Sequence, residues 1–560
     1  MGILMKIIII GSVAAGTSVA AKARRNSETA EIVVYDQDKD ISYSICGIPY
    51  YIGEEVETLD RLTPRDAAWF NARYNVAIYT EHRVTKINPE SQTIEVENLQ
   101  TGEINLDSYD ELVIATGAKP RVPEVFKQQS MAENIFAVRT IQDAAAIHDF
   151  IETQKPQKAT IIGAGFIGLE MAEQLTHRGI EVTLVQRGKQ VMKHLDPEMA
   201  YRVQLELEKH QVDVQLNTTI TKLTTEDEQV VALETNHNQT LTTDFVILAS
   251  GVIPNNSLVQ PLGIELGASG AIKVNKTMQT SLLHIYAVGD VAESYSLITV
   301  QSLYRPLGST ANKMGRIVGD IITGGSLEHR GILGTGIVRV FDLTVAYTGI
   351  TENEAQELGI DVAVLYNIKP DHADYLGGKE LTIKALADKK TGRILGAQII
   401  GPQGVDKRID VIATAISFGA VAEDLFHLDL AYAPPYATTK DPILYTGMAL
   451  DNAVNRGTPL LTPRQLIEKQ ANDEVLQIID TRSKKQFEQS KVDGAVHIPL
   501  KELRNKLASL DIKIPTIAYC NKGVTGNAAQ NILINEGFSE VYNLSGGNKN
   551  YQLVKAMLNR

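Results

Sequence analysis

Cysteine is scarce in this sequence, which has only two, Cys46 and Cys520, among 560 residues. Two cysteines so far apart do not make a disulfide framework, and we therefore expect a reducing, cytoplasmic setting. Long apolar runs are lacking too, because no window approaches the roughly 20 apolar residues that a membrane-spanning helix needs. The apolar start, Ile3 to Ile10, predicts a buried strand rather than a signal peptide, since a glycine-rich turn follows at once.

Positive charge is also in short supply. The formal net charge of −13 at pH 7 argues against a nucleic-acid-binding surface. The shares of hydrophobic residues, 44%, and charged residues, 22%, are those of an ordinary globular protein. A chain of 560 residues is longer than the roughly 250–300 that one hydrophobic core supports, so we expect several domains.

The first glycine-rich turn has the pattern of a dinucleotide-binding βαβ unit. A continuous apolar run, Lys6 to Ile10, leads into Gly11-Ser12-Val13-Ala14-Ala15-Gly16, an alanine-rich helix and a second strand, Glu31 to Tyr35. Gly11 would make the tight turn, the helix N-terminus would receive a pyrophosphate, and Asp36 would bind a ribose hydroxyl. Val13 replaces the middle glycine of the motif, so an ordinary strand–turn–helix is the alternative.

A second unit has all three glycines of the motif. The strand Ala159 to Ile162 leads into Gly163-Ala164-Gly165-Phe166-Ile167-Gly168, a helix from Leu169 to Arg178 and a strand from Glu181 to Val185. At the end of that strand, where an acid would select NADH, stand Gln186 and Arg187. Because Gln186 is neutral, it does not repel the 2′-phosphate of NADPH as an acidic residue would, and Arg187 could pair with that phosphate. The sequence slightly favours use of both NADH and NADPH; a solvated Arg187 is the alternative.

Three later segments are strands that break at a glycine-containing turn: Glu111 to Pro120, Phe245 to Asn255 and Ile285 to Asp290. Together with the two glycine motifs, they resemble the pyridine nucleotide–disulfide oxidoreductases, whose flavin domain is split around the nicotinamide domain. The resemblance implies a resident FAD and a diffusible NAD(P)H. The cofactor-binding residues that it implies are Gly11, Ala14, Ala15, Gly16, Asp36, Thr116, Gly117, Gly163, Gly165, Phe166, Gly168, Gln186, Arg187, Gly251 and Asp290.

The first cysteine lies in the stretch Ser42 to Gly53, just after the first βαβ pattern. Relatives with two redox cysteines carry a CxxxxC pair, but here Tyr51 stands at the second position. The chain therefore resembles the single-cysteine branch: coenzyme A disulfide reductases, their persulfide-reducing relatives and NADH oxidases. We expect Cys46 to lie against the flavin and either to exchange sulfur with an external thiol or persulfide or to be oxidised on its own.

Residues 331 to about 450 predict a further α/β unit, which matches this family's dimerisation domain and implies a homodimer. Two of its stretches, 372–377 and 430–436, contain Tyr375 and Tyr432. In coenzyme A disulfide reductases the corresponding loops each carry a tyrosine that reaches the partner subunit's cysteine. The alternative is that both tyrosines are ordinary interface aromatics.

The last hundred residues resemble a rhodanese domain. They follow a turn-rich linker near Val454-Asn455-Arg456-Gly457, and a strand ending in Asp480-Thr481-Arg482 precedes the strand Thr516 to Cys520. Backbone N–H groups and a helix expected to begin near Asn527 would favour the Cys520 thiolate, which could hold sulfane sulfur as a persulfide. Thr525 stands where many rhodaneses have arginine, which leaves anionic donors such as thiosulfate less favoured.

The expected activity is NAD(P)H-driven, FAD-dependent reduction of CoA persulfide, CoA disulfide or polysulfide at Cys46. Cys520 would relay sulfane sulfur, and sulfide or reduced CoA would be released. No metal site is expected. By similarity, the residues expected to contact coenzyme A are Ser18, Lys22, Arg25 and Ser42. A solvated helix end is the alternative for the cations among them.

Two other functions stay open at the sequence level: an NADH oxidase or peroxidase in which Cys46 cycles through sulfenic acid, and a redox-sensing sulfur-delivery protein. The sequence does not rank the sulfur substrates. The mixed α/β architecture that we expect has a split FAD domain, an NAD(P) domain, a dimerisation domain and a rhodanese-like domain. The expected boundaries are 1–150 and 281–330 for the two parts of the FAD domain, 151–280 for the NAD(P) domain, 331–450 for the dimerisation domain, 451–460 for the linker and 461–560 for the rhodanese-like domain.

Overall fold

The computed structural model describes residues 5–127 and 132–560. Their contacts divide the chain into two compact units. The first comprises residues up to 189 together with 211–332, and the second comprises 190–210 together with 333–560. Within the described residues, no helix combines the length and the apolar character needed to cross a membrane.

The first unit is built on two parallel five-stranded sheets, as the two glycine motifs predict. The first sheet contains the strand Lys6–Ile10, in which Ile7, Ile8 and Ile9 are fully buried because both faces of the sheet are covered. Its strands, in spatial order, are Ile285–Ala287, Glu111–Ile114, Lys6–Ile10, Glu31–Tyr35 and Ala77–Tyr79. The strands of the second sheet, in spatial order, are Asp213–Gln215, Glu181–Val185, Lys158–Ile162, Phe245–Leu248 and Ile135–Ala137.

Within the described residues, the first unit also contains smaller antiparallel sheets and seven α-helices. The small sheets consist of the strands His82–Asn88, Thr93–Asn98 and Ile104–Ser108; Ile220–Glu226, Gln229–Thr235 and Thr240–Thr242; Ala118–Pro120 and Val252–Pro254; and Ser294–Tyr295 and Ser302–Leu303. The α-helices among the described residues of this unit are Ala14–Asn26, Ile48–Ile52, Ala67–Tyr74, Glu124–Lys127, Ile141–Gln154, Phe166–His177 and Gly308–Ile321. The helix after the second glycine motif begins at Phe166 rather than Leu169, because Gly165 is its extended N-cap.

The second unit contains an antiparallel five-stranded sheet that corresponds to the predicted dimerisation domain. Its strands, in spatial order, are Gly336–Val340, Leu343–Gly349, Ile394–Gly401, Glu380–Asp388 and Val362–Pro370. The helices beside this sheet are Pro197–Lys209, Glu352–Glu357, Val405–Ser417, Ala422–Phe426 and Pro442–Asn455.

A parallel five-stranded sheet forms the C-terminal part of the second unit. Its strands, in spatial order, are Leu460–Leu461, Val541–Leu544, Thr516–Tyr519, Gln477–Asp480 and Val496–His497. The helices of this part are Pro463–Ala471, Lys484–Gln489, Leu500–Lys506, Val524–Asn535 and Gly547–Leu558.

Two sequence-based boundaries in the second unit are wrong. The turn-rich linker was expected from residue 451, but the helix Pro442–Asn455 continues into it, and Asp451 Oδ1 accepts a 2.7 Å hydrogen bond from Asn455 Nδ2 on the last turn. The helix after Cys520 begins at Val524 rather than near Asn527. Gly523, at φ +100°, turns the chain directly into that helix.

A buried lysine organises the charges inside the second unit. The Lys384 side chain is 1% exposed, and its Nζ lies 2.8 Å from Asp196 Oδ2, 2.6 Å from Glu198 Oε1 and 2.7 Å from Glu352 Oε2. Burial alone would lower the pKa of Lys384, but the surrounding negative charges, Glu198 foremost, raise it well above its usual value. Tyr366 donates a 2.7 Å hydrogen bond to Glu198 Oε1, so the network reaches the neighbouring strand.

Candidate active site

The first glycine turn has the geometry that a bound dinucleotide requires. Gly11 adopts φ +108°, and a Cβ atom there would lie 2.3 Å from the carbonyl oxygen of Ala115. A Cβ at Gly16 would lie 1.8 Å from the Gly11 carbonyl oxygen, so this glycine lets the helix Ala14–Asn26 pack closely against the turn. Ala14 and Ala15 open that helix, whose N-terminus is suited to a pyrophosphate.

Asp36 lies beside this turn at the carboxyl end of the strand Glu31–Tyr35. Its Oδ2 accepts hydrogen bonds from the Ser12 amide at 2.7 Å and the Ser12 hydroxyl at 2.6 Å. Burial raises the pKa of Asp36, although these hydrogen bonds act in the opposite direction. The carboxylate is therefore at the position at which the motif would bind a ribose, and the residues fit an FAD.

The second glycine turn fits a pyridine nucleotide. Gly163 adopts φ +113°, and a Cβ at Gly168 would lie 1.9 Å from the Gly163 carbonyl oxygen. A Cβ at Gly165 would meet no atom within 4 Å, so the backbone is open there to an approaching diphosphate. At the end of the next strand Gln186 Oε1 accepts a 3.3 Å hydrogen bond from the Ala164 amide, and Arg187 is exposed.

The remaining predicted cofactor-binding residues lie at turns of the same unit. Gly117, at φ +68°, and Gly251, at φ +96°, adopt left-handed conformations, and Thr116 Oγ1 donates a 2.8 Å hydrogen bond to the Asn255 carbonyl oxygen. Asp290 Oδ2 forms a 3.0 Å ion pair with Arg139. Sequence reasoning missed Arg139, because nothing local links it to a carboxylate 151 positions away.

Cys46 is presented on a loop that is tied to the first glycine turn. It is an exposed residue in the short 3-10 turn Ile45–Gly47, and the helix Ile48–Ile52 follows at once. Ser42 adopts φ +49°, a strained conformation for a residue with a side chain, and its amide donates a 3.0 Å hydrogen bond to the Ser12 carbonyl oxygen. The loop that carries Cys46 and the predicted pyrophosphate-binding turn are therefore held together by backbone contact.

The surroundings of Cys46 disfavour its thiolate. Although the residue is exposed, neighbouring atoms displace water from the sulfur, and this desolvation raises the pKa of Cys46. The negative charge of Glu170 raises that pKa further, whereas Arg139 lowers it. Glu170 lies on the helix Phe166–His177, and its Oε1 accepts a 3.3 Å hydrogen bond from the Tyr50 hydroxyl. Sequence reasoning missed Glu170, because its position near the thiol depends on how that helix packs.

Replacing Glu170 by glutamine is expected to lower the pKa of Cys46. The substitution removes a negative charge that raises this pKa, so the thiolate fraction at neutral pH should rise. The measurement is the pH dependence of iodoacetamide alkylation in a Cys520→Ser background, in which Cys46 is the sole thiol. Glu234→Gln, a change at a partly exposed acid that pairs with Lys222 and is not among the charges acting on Cys46, is the control that should leave the profile in place. An unchanged or upward-shifted profile for Glu170→Gln would contradict the assignment.

The predicted coenzyme A contacts lie along the helix Ala14–Asn26 and the adjoining loop. Ser18 Oγ donates a 2.6 Å hydrogen bond to Asn312 Oδ1, and Lys22 Nζ pairs at 2.9 Å with Asp320 Oδ1, both on the helix Gly308–Ile321. Arg25 donates a 3.1 Å hydrogen bond to the Tyr74 hydroxyl and lies over its ring. The charge of Lys22 is therefore partly neutralised within the chain, whereas Arg25 contacts an aromatic group.

The two predicted catalytic tyrosines lie on neighbouring loops of the second unit. Tyr375 is 77% exposed and Tyr432 is 50% exposed. The Ala373 amide donates a 3.2 Å hydrogen bond to the Pro434 carbonyl oxygen and joins the two loops. These two loops carry further exposed apolar side chains, namely Leu376 and Tyr436. Such a surface is suited to contact with another protein chain.

Cys520 lies at the end of the strand Thr516–Tyr519, as the sequence predicts. It is buried, and its Sγ accepts a 3.2 Å hydrogen bond from the Gly523 amide at the start of the helix Val524–Asn535. Behind the loop, the Asn548 amide donates a 2.8 Å hydrogen bond to the Cys520 carbonyl oxygen. The Gly523 N–H at the start of the helix therefore contacts the sulfur directly, and such a contact is expected of a sulfur-carrying cysteine.

Comparison with known proteins agrees with this architecture. The sequence matches three family descriptions: pyridine nucleotide-disulphide oxidoreductase over residues 5–303, the dimerisation domain of that family over 336–442, and rhodanese-like domain over 462–553. Among curated relatives, a CoA-dependent NAD(P)H sulfur oxidoreductase of Pyrococcus furiosus is 35% identical over 454 residues, which are 80% of this chain and 99% of the relative. An NADH oxidase of Methanocaldococcus jannaschii is 35% identical over 457 residues, with coverage of 81% and 99%.

Two solved structures match almost the whole chain, including its C-terminal part. The reduced CoADR-RHD protein of Bacillus anthracis is 38% identical, with a TM-score of 0.95 and coverage of 99% of this chain and 98% of that protein. The NAD-dependent persulfide reductase of A. fulgidus is 34% identical, with a TM-score of 0.88 and coverage of 98% and 100%. The predicted fold class, the family's FAD and NAD(P)H cofactors and oxidoreductase activity are therefore confirmed. The chain belongs to the pyridine nucleotide–disulfide oxidoreductase family and carries a C-terminal rhodanese-like domain.

Proposed function

We propose that this protein uses NAD(P)H and FAD to reduce a persulfide, disulfide or polysulfide at Cys46, with coenzyme A as the sulfur carrier. The observation that carries the proposal is the position of Cys46 on a loop whose Ser42 amide is bonded to the Ser12 carbonyl oxygen in the predicted FAD turn. The CoA-dependent sulfur oxidoreductase and the persulfide reductase among its relatives support the same chemistry.

The sulfur step at Cys46 is a thiolate exchange. The Cys46 thiolate attacks a sulfur atom of the substrate, a Cys46–sulfur bond forms, the substrate's S–S bond breaks, and the carrier leaves as a thiolate. With CoA disulfide the product at Cys46 is a mixed disulfide, and with CoA persulfide it is a Cys46 persulfide. Bound FAD would supply two electrons from NAD(P)H, which return Cys46 to its thiolate and release reduced CoA or sulfide.

The chain's own residues would bind the carrier and move the proton. Ser18, Lys22, Arg25 and Ser42 are our candidate coenzyme A contacts, with the partly neutralised Lys22 the weaker of the two cations. We place Tyr375 and Tyr432 as proton donors to the leaving thiolate at Cys46 of the partner subunit, because both lie on adjoining exposed loops of the dimerisation domain. This role requires a homodimer, which the exposed apolar side chains on these loops favour.

Cys520 would collect or discharge sulfane sulfur that coenzyme A carries to or from Cys46. Both cysteines are free, and chemistry that cycles a free thiol suits a reducing setting such as the cytoplasm.

Cys520→Ser is expected to slow sulfide release from at least one persulfide donor, because the variant cannot hold sulfane sulfur. The measurement is sulfide release under anaerobic conditions with several donors; Ser539→Ala, an exposed change in the same domain, is the control. Unchanged turnover with every donor would contradict the proposed sulfur relay through Cys520.

NADH oxidase activity is the second candidate, because an NADH oxidase is among the relatives. The rhodanese-like domain disfavours it, since reduction of oxygen has no use for a sulfane carrier. The discriminating experiment measures NADH consumption without oxygen, with and without CoA persulfide. We expect rapid oxidation and stoichiometric sulfide only with the persulfide; oxidation that depends on oxygen alone would support the oxidase.

A further inference from the structure

A cleft of about 160 Å³ lies beside the Cys520 loop, between the rhodanese-like domain and the dimerisation domain of the second unit. One wall is the loop itself, through Lys522, Gly523 and Val524. The opposite wall is the strand Val362–Pro370, through Lys369, and the helix Pro442–Asn455, through Tyr445. Gly523 connects the cleft to the cysteine, because it lines the cleft while its amide binds Cys520 Sγ.

The cleft has an excess of positive charge on its dimerisation-domain side. Lys522 is held by an ion pair with Glu380, which also pairs with Lys549. Lys369 has no carboxylate partner among residues 5–127 and 132–560; its Nζ lies 3.8 Å from the centre of the Tyr445 ring. Burial lowers the pKa of Lys369, the charge of Lys522 lowers it further, and the charge of Cys520 raises it. Lys369 is thus a half-buried cation within electrostatic reach of the cysteine and without an anion.

An unpaired buried hydroxyl is a second sign of a missing ligand. Thr458 lines the cleft and is 7% exposed, and its Oγ1 has no hydrogen-bond partner among the described residues. Buried hydroxyl groups are nearly always bonded, so this atom is available to a small polar guest. The volume is that of about five water molecules, which admits a short chain of sulfur atoms or a sulfur oxyanion.

We propose that this cleft binds the small anionic compound that exchanges sulfane sulfur with Cys520, and that Lys369 of the dimerisation domain supplies its cation. The inference rests on the proposed role of Cys520 as a sulfur carrier and names the substrate class of that site. Lys369 would thus supply, from another domain, the positive charge that many rhodaneses have as an arginine at the position of Thr525. Anionic donors, which the Cys520 loop alone disfavours, become suitable substrates.

The transfer itself needs no further reagent. The Cys520 thiolate attacks a sulfane sulfur of a polysulfide anion, and a new S–S bond forms at Cys520. The donor's own S–S bond breaks, and its electron pair leaves with the shortened polysulfide anion. Lys369 would hold the anionic end of the donor before transfer and stabilise the departing anion afterwards.

The test uses the full chain with Cys46→Ser, in which Cys520 is the sole thiol. Sulfur loading of Cys520 from inorganic tetrasulfide is followed by mass spectrometry in rapid-quench samples. Lys369→Met should slow loading about tenfold, and Lys369→Arg should restore most of the rate. The matched control is Lys389→Met, which removes a surface lysine paired with Asp361 on the same sheet and should leave the rate unchanged.

A pair of alkylating reagents separates anion binding from a structural effect. Iodoacetate carries a negative charge and iodoacetamide does not, so Lys369→Met should slow only the reaction of Cys520 with iodoacetate. Added salt should slow iodoacetate in the parent chain and have little effect in Lys369→Met. The inference would be overturned if tetrasulfide loaded Cys520 at the same rate with and without Lys369. It would also be overturned if Lys369→Met slowed the reactions with iodoacetate and iodoacetamide equally. If Cys520 accepts no sulfur even with Lys369 present, the proposed relay fails as well.

Discussion

Replacing Cys46 by serine is expected to reduce NAD(P)H-dependent turnover of CoA disulfide and CoA persulfide by at least about a thousandfold. Serine is a much weaker nucleophile than the cysteine thiolate at neutral pH and forms no sulfur bond. Rhodanese-type chemistry at Cys520 cannot substitute for it, because that cysteine only transfers sulfane sulfur and does not accept electrons from NAD(P)H in the proposed reaction. The measurement is anaerobic NAD(P)H oxidation together with sulfide or thiol release.

The control for this experiment comes from the same loop. Ser44 is exposed two positions before the cysteine, and Ser44→Ala should leave kcat/KM within about twofold. Flavin absorbance of the Cys46→Ser protein should match that of the parent, so that loss of turnover is not loss of cofactor. A serine variant that keeps more than about a tenth of the parent rate would refute the role of Cys46.

Replacing Lys384 by methionine is expected to cost about 3–5 kcal/mol in the free energy of unfolding, because two buried carboxylates and one partly buried carboxylate lose their shared cation. Asp196, Glu198 and Glu352 all lie within 2.8 Å of Lys384 Nζ. Methionine fills similar space, so the loss comes from unpaired charge rather than from a cavity. Denaturant unfolding of the holoprotein measures the effect, which should appear in the transition of the second unit.

A surface pair and a change of pH test this explanation. Lys389→Met removes an exposed ion pair with Asp361 and should cost less than about 0.5 kcal/mol. In Lys384→Met, burial without the lysine raises the folded-state pKa values of Asp196 and Glu352 above their unfolded values. The folded state then binds more protons as the pH falls, so the deficit relative to the parent should shrink towards about pH 5. A deficit below about 1 kcal/mol at neutral pH would contradict the assigned role.

The local parts of the fold could be read from the sequence because their causes are local. An apolar run followed by glycines places the strand Lys6–Ile10 and its turn, since only glycine tolerates the contacts at Gly11 and Gly16. The positions of Cys46 after the first unit and of Cys520 at a strand end follow from the same patterns. The helix ends at Asn455 and Val524 were misplaced, because the helix Pro442–Asn455 continues into the turn-rich segment and the left-handed Gly523 starts the next helix early.

The electrostatic partners of the site could not be read in this way. Arg139 meets Asp290 only because two strands far apart in sequence end near each other, and Glu170 reaches Cys46 through helix packing. The sequence does carry one signal for Lys384. It is the single lysine inside the apolar strand Glu380–Asp388, where an unpaired charge would destabilise the fold. No comparable signal marks Lys369, because a lysine at a strand end is ordinary.

The C-terminal domain is joined to its neighbour by more than a linker. The Tyr366 amide donates a 2.7 Å hydrogen bond to Ser545 Oγ, which in turn donates to the Val364 carbonyl oxygen. A Cβ at Gly546 would lie 2.9 Å from Tyr366 Cβ, so the contact tolerates no side chain there. If this domain were exchanged for another rhodanese by gene fusion, the new domain would therefore need the same serine–glycine pair. Without that pair the fused domain would remain linked through the chain but would lose its fixed contact with the dimerisation domain.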